Sequence, residues 1–216
     1  MRSKFLVSLA LLGLLAFSGA AFAGKDKGGD EGGSAELVIL DTQVPEVDSF
    51  YDKVEALIGQ LQSARTDIDQ ANGKLAEALG LATDAPIATA LADLQAKAEG
   101  KITLALEGTK PTLQASEGVP ENVQAGIDAV NGMGNQLVQA LETLKQVSSE
   151  VTPLATQAAD MPAAITGSSL NLKDKAVATK NAAANLKVTK QIPVEAENLT
   201  KSCNDTLELI KTTFGG

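Results

Sequence analysis

The chain has 216 residues, 27 of them acidic and 18 basic, with no histidine and one cysteine. Its net charge of −9 disfavours binding nucleic acid through a broad basic face, and a 3% aromatic content leaves little surface for base stacking. Without histidine, neither Ser-His-Asp nor Cys-His catalysis nor a histidine-ligated metal site can form, and one cysteine cannot build a thiolate cluster. We therefore expect a protein that is not an enzyme and uses no cofactor.

Residues 1–23 have the three-part order of a secretory signal peptide. Arg2 and Lys4 precede an apolar run at 5–17, and small residues at 21–23 precede Gly24. The run is short for a membrane-spanning helix, which needs about 20 residues. The pattern predicts cleavage after Ala23 and an exported protein, periplasmic or extracellular, with no transmembrane anchor after cleavage. It fits a bacterial and a eukaryotic route alike.

Residues 24–34 (GKDKGGDEGGS) contain glycine, charged residues and a serine, and no apolar side chain. Such a segment cannot join a core and is predicted to be a flexible tether. Residues 35–216 have the length of one domain and are assigned to a single helical-bundle domain. At its start, residues 36–44 (ELVILDTQV) resemble an extended segment, which either lies along the bundle as an apolar strap or extends the first helix.

The next two segments repeat apolar residues at helical spacing. Between Val47 and Ala78 the apolar positions follow steps of three and four residues, with Pro45 placed to open the first turn. A second stripe begins at Ile87, after Pro86, and is predicted to continue through Ile102 and Ala105 to about residue 107. Both segments are predicted to be amphipathic helices.

Two further stripes follow. The third has an aliphatic residue every seven positions, at Val123, Val130, Leu137, Leu144 and Val151. Pro153 and Pro162 are predicted to bound a short run, and a fourth helix is predicted from residue 172, broken or kinked near Pro193. These stripes predict an all-α fold, an antiparallel bundle of about four long amphipathic helices with heptad-like Ala, Leu and Val stripes.

The single cysteine, Cys203, falls on the apolar stripe of the fourth helix. Its position favours a small buried side chain, as free cysteines usually are. In an oxidising compartment a lone cysteine can instead form an intermolecular disulfide.

Residues 173–190 (KDKAVATKNAAANLKVTK) hold five lysines and one aspartate in an acidic chain. The apolar stripe predicted here consists of Leu172, Ala176, Thr179, Ala183 and Leu186. It places Lys173, Lys180 and Lys187 beside the core, where charges across a helix interface are paired. Two uses remain: internal pairing with an acidic neighbouring helix, or docking of an anionic partner by these three lysines together with Lys190.

These features predict an exported, non-catalytic helical bundle that acts as a structural or protein-interaction module of the cell envelope or extracellular space. Its partner is expected to be a protein, self-association included, and not nucleic acid. The alternative is a carrier whose amphipathic helices separate to wrap lipid or another hydrophobic ligand.

Overall fold

The computed structural model describes residues 37–215. In chain order the elements are α1 (Pro45–Ala78), α2 (Ile87–Ala98), β1 (Ile102–Glu107), β2 (Lys110–Ala115), α3 (Glu121–Ala158), α4 (Met161–Gly167) and α5 (Leu172–Phe214). The fold is mostly helical, as predicted, with one two-stranded antiparallel sheet. Three helices are long and two are short, where the sequence predicted about four long ones.

The three long helices form an up-down-up bundle in which α3 packs against both α1 and α5. Gly126, near the start of α3, lies against Leu79 at the end of α1, so these two helices are antiparallel. Tyr51, in the second turn of α1, donates its hydroxyl to the carbonyl oxygen of Ala182 in the first half of α5 at 3.1 Å. Helices α1 and α5 are therefore parallel to each other, and both oppose α3.

The apolar stripes predicted for α1 and α3 are confirmed. Val47, Val54 and Leu75 are fully buried in α1, and all five heptad positions predicted from Val123 to Val151 are buried in α3. Pro153 lies inside α3 and does not end it, because the buried residues Val151 and Ala158 on either side hold the helix in the core. Pro193 likewise lies inside a continuous α5. The boundary predicted at Pro153 and the break predicted at Pro193 are wrong, while a kink at Pro193 stays a prediction.

The predicted extension of the second helix to Ile102 and Ala105 is also wrong. Helix α2 ends at Ala98 because Glu99 and Gly100 adopt left-handed backbone angles, with φ of 50° and 80°. A hairpin follows, in which Gly108 has a φ of 65° at the first position of a two-residue turn, the position where type II′ turns require glycine. The spacing of the apolar residues is that of a helix, but the left-handed backbone at residues 99–100 ends the helix before Ile102.

Residues 37–44 form an extended segment along the bundle, called the strap below. Leu37 and Ile39 pack against the core, while Val38 and Leu40 face solvent with 46% and 40% of their surface exposed. This alternation is the pattern of an extended chain with one buried side. The strap interpretation is confirmed, and helix α1 starts only at Pro45.

The stripe predicted for the first part of α5, residues 172–186, has the wrong register, although Leu186 at its end does pack against the core. Leu172 is 87% exposed, and Ala176, Thr179 and Ala183 are exposed as well. The residues that face the core in this part of α5 are Ala178, Ala182, Asn185, Thr189 and Ile192. Two of them are polar, so a search for apolar positions misses this face and selects its neighbour.

Candidate functional site

The corrected register moves the predicted lysines away from the core. We call Lys173, Lys180, Lys187 and Lys190 the basic face of α5; all four side chains are exposed. The first three are seven residues apart, a spacing that drifts only about 20° per repeat around an α-helix. They therefore form a nearly straight row on the side of α5 opposite the buried Ala178 and Ala182.

The basic face has no acidic partner within the described part of the chain. The ion pairs found there join Lys97 to Asp93, Lys110 to Glu107, Lys201 to Asp205 and Lys211 to Glu208. No carboxylate between residues 37 and 215 lies within 4.0 Å of the four ammonium groups of the basic face. The sequence hypothesis of internal pairing thus has no partner among these residues, and docking of an anionic partner stays a prediction.

Aliphatic side chains are exposed on α5 beside these charges. Val177 is 47% exposed and Val194 is 56% exposed, and Leu172 at the start of the helix is almost fully exposed. Burying apolar area contributes about 25 cal/mol per Å² to association, while lysines select the charge of the partner. The basic face and its surroundings thus present positive charge and exposed apolar surface side by side.

The strap is fastened to α5 by an amide clamp. We use this term for one asparagine side chain that bonds both backbone groups of a facing residue. The backbone N–H of Leu40 donates to Oδ1 of Asn185 at 2.7 Å, and Nδ2 of Asn185 donates to the carbonyl oxygen of Leu40 at 2.8 Å. Asn181 adds a bond from its Nδ2 to the carbonyl oxygen of Asp41 at 2.6 Å. These bonds explain why Asn185 is fully buried without cost to the fold.

A second amide clamp holds the hairpin on α3. Oδ1 of Asn131 accepts from the backbone N–H of Leu113 at 2.7 Å, and its Nδ2 donates to the Leu113 carbonyl oxygen at 3.0 Å. Sequence reasoning missed both clamps. The sequence feature that could have predicted them is an asparagine at a position that continues the buried face of a helix.

The strap also joins the start of α1. The backbone N–H and the hydroxyl of Thr42 both donate to Oδ1 of Asp48, at 2.7 and 2.8 Å. Burial raises the pKa of the Asp48 carboxyl above its ordinary value, although the two bonds from Thr42 act in the opposite direction. These contacts fix the angle at which the strap leaves the helix.

Cys203 is fully buried, at 0% exposure, as its place on the apolar stripe predicts. A disulfide between two copies of the chain requires this sulfur to reach the surface. The packing of α5 around residue 203 must therefore open before such a bridge can form.

We expect alkaline pH to destabilise the protein through Cys203 and Tyr51. Burial raises the pKa of the Cys203 thiol to about 11 and that of the Tyr51 phenol to about 12, from ordinary values of 9.0 and 10.0. Between these values the unfolded chain releases protons that the folded chain holds, so the free energy of unfolding falls as pH rises from about 9 to about 12.

Urea titrations across this pH range check the effect. Cys203→Ala should remove the part of the decline that starts near pH 9, and Tyr51→Phe the part that starts near pH 10. If both variants keep the slope of the parent protein, neither group is the cause.

A pocket of about 300 Å³ lies between α1 and α3. Charged Lys74 and Asp128 contribute to its wall beside Ala71, Gly132 and Met133, and several of these residues are exposed. Its volume is at the lower end of the range for small-molecule sites, and its wall is partly charged.

Residues 37–215 show neither a candidate metal site nor a helix able to cross a membrane. No cluster of three or more acidic or cysteine side chains in this range could hold a metal ion. None of the described helices is both long enough and apolar enough to cross a bilayer.

Comparisons with protein-family models, with curated proteins and with solved structures find no match for this chain.

Proposed function

We propose that this is an exported, non-catalytic interaction module that docks an anionic protein through the basic face of α5. The observation that carries the proposal is the row formed by Lys173, Lys180 and Lys187, which is exposed and without a carboxylate partner among the described residues. The row is positive in a chain with a net charge of −9, so it is opposite in sign to the rest of the protein.

Export is part of the same proposal. The signal peptide at 1–23 and the tether at 24–34 lie outside the described residues and rest on the sequence pattern.

We expect the charges to determine the association rate and the choice of partner more than the affinity. A single exposed ion pair contributes only about 0–1 kcal/mol, and surface charges are screened beyond about 8 Å at physiological salt. A row of aligned charges raises the association rate and excludes basic partners. The exposed Val177 and Val194 supply apolar contact that salt does not weaken.

The carrier of lipid or another hydrophobic ligand is the weaker candidate. It requires the helices to separate, yet Leu137 and Leu144 at the centre of α3 are fully buried in a packed core. The pocket between α1 and α3 is small and has charged residues in its wall. No feature of the described residues favours this function.

Charge reversal at the basic face tests the docking proposal. We expect Lys173→Glu, Lys180→Glu and Lys187→Glu together to weaken retention on the partner-containing envelope fraction at least about tenfold, because attraction becomes repulsion. The free energy of unfolding should change by less than about 0.5 kcal/mol, as these side chains contact no acid that is described.

The matched control reverses Lys53, Lys74 and Lys145, three exposed lysines on α1 and α3. It introduces the same change in net charge away from the basic face. Equal loss of retention in both triple variants would show a response to total charge alone and would refute the basic face as the docking site.

A further inference from the structure

The hairpin has one closed edge and one open edge. The register pairs Leu104 with Leu113 and Glu107 with Lys110, and the backbone N–H of Ser116 donates to the carbonyl oxygen of Lys101 at 2.9 Å. Hydrogen-bonded pairs alternate with non-bonded pairs in an antiparallel ladder. The bonded positions of β1 are therefore 101, 103, 105 and 107, and the backbone groups of Ile102, Leu104 and Leu106 point away from β2.

The far side of β2 is closed. Its outward-pointing positions are 111, 113 and 115 by the same alternation. Pro111 has no N–H to offer, and both backbone groups of Leu113 are bonded to the side chain of Asn131. Another strand cannot pair on that side.

The far side of β1, called the open edge below, lacks these protections. No hydrogen-bond partner for the outward backbone groups of Ile102, Leu104 and Leu106 is found among residues 37–215. Natural edge strands are usually blocked by proline, by charge, by a bulge or by a covering helix or loop, and positions 102–106 (ITLAL) contain none of the first three. The C-terminal end of α5 meets this strand at the side chain of Leu104, which lies beside Gly215, but no backbone hydrogen bond between the two elements is found among the described residues. Leu106 lies on this strand and is 57% exposed.

We propose that the open edge of β1 pairs with β1 of a second copy of this chain, giving a two-fold symmetric dimer with a four-stranded antiparallel sheet. This surface is separate from the basic face of α5, so the inference does not depend on the proposed function. The two-fold axis passes beside Leu104, which faces Leu104 of the second copy.

The sequence of β1 is complementary to itself in this arrangement. With Leu104 at the centre, Ile102 faces Leu106 of the second copy, and the exposed leucine becomes covered by an apolar neighbour. Lys101 faces Glu107 of the second copy, so opposite charges meet at both ends of the pairing. In this register the outward N–H and C=O groups of Ile102, Leu104 and Leu106 bond to the same groups of the second copy. The two strands then share about six hydrogen bonds.

Sedimentation equilibrium of the purified exported protein measures the dimer directly. We expect a reversible dimer, and Leu106→Lys should weaken it about tenfold or more, because it places two lysines in the new sheet. The same substitution at Leu172, an exposed leucine outside the hairpin, should leave the dimer unchanged. A protein that is monomeric at all accessible concentrations, or a dimer that tolerates Leu106→Lys, would overturn the proposal.

A charge swap tests the register. Lys101→Glu, and separately Glu107→Lys made together with Lys110→Glu so that the ion pair within the hairpin is kept, should each weaken the dimer, since like charges then face each other across it. Combining all three substitutions should restore the dimer. Failure of the combined variant to restore it, while circular dichroism shows unchanged helicity, contradicts this register.

Amide hydrogen exchange adds a readout that does not depend on substitution. The amides of Leu104 and Leu106 should exchange fast in the dilute monomer and slow down as concentration rises, while those of Thr103 and Ala105 stay protected by β2 throughout. Slow exchange of Leu104 at concentrations where the protein is monomeric would show that the edge is not open.

Discussion

Ala182→Glu is expected to destabilise the protein by about 3–5 kcal/mol, and Ala183→Glu by less than about 0.5 kcal/mol. The two positions are adjacent, are occupied by the same residue and lie in the same stretch of helix. Ala182 is fully buried against α1, whereas Ala183 is exposed. Helix propensity is equal in the two variants, so the difference reports burial alone.

The large effect arises because a carboxylate at position 182 would be buried with no cation beside it. The carbonyl oxygen of Ala182 already accepts the hydroxyl of Tyr51, so the neighbouring surface of α1 is in close contact. An uncompensated buried charge loses its hydration and gains no partner. At position 183 the same carboxylate stays in water.

Urea denaturation of both variants followed by circular dichroism decides between the two registers of α5. The register predicted from apolar spacing placed Ala183 in the core and therefore requires the opposite order of stabilities. Equal stabilities would mean that α1 does not pack on this side of α5.

The second large effect is expected for Asn185→Ala, at about 1–3 kcal/mol of lost stability. The substitution removes both bonds of the amide clamp and leaves a gap in a fully buried position. The strap should then loosen on α5 at Leu40, where both bonds are lost, while the bond from Asn181 to the Asp41 carbonyl oxygen and the contacts of Leu37, Ile39 and Thr42 remain.

Hydrogen exchange at the Leu40 amide, combined with urea denaturation, checks this expectation. The amide should be protected in the parent protein and lose most of its protection in the variant. Asn204→Ala, an exposed asparagine on the same helix, is the control and should change stability by less than about 0.5 kcal/mol. Unchanged protection of Leu40 in Asn185→Ala would show that the clamp does not hold the strap.

Sequence reasoning predicted α1 and α3 well for a physical reason. Both helices bury large aliphatic residues at intervals of three and four, from Val47 in α1 to Val151 in α3, and no polar residue competes for those positions. The apolar period then determines the buried face without help from tertiary contacts. Cys203 was placed correctly by the same rule.

The apolar period gave a wrong prediction where the residues on the buried face are small or polar. In the first half of α5 the core positions include Asn185 and Thr189, whose burial depends on partners far away in sequence or on the helix backbone. Alanine occurs on several sides of this helix, so its positions do not indicate which side is buried. The lysines of the basic face were found, but their direction was wrong because it was inferred from the misplaced stripe.

The helix predicted where the hairpin lies was wrong for a different reason. Leu94, Ala98, Ile102 and Ala105 continue a helical spacing across the point where the chain turns back. The left-handed angles at Glu99 and Gly100 end the helix locally, and Gly108 then permits the tight turn between strands. Local backbone preference overrode the periodic pattern.

Site-directed photo-crosslinking in the producing cell tests the central claim, that the basic face of α5 docks an anionic protein. A photoreactive residue at position 184, between Lys180 and Lys187, is compared with one at position 139, which is exposed on α3. We predict a discrete product from position 184 that contains an acidic protein and that disappears when Lys173, Lys180 and Lys187 are changed to glutamate. Equal products from both positions, or a product that survives the charge reversal, would contradict the claim.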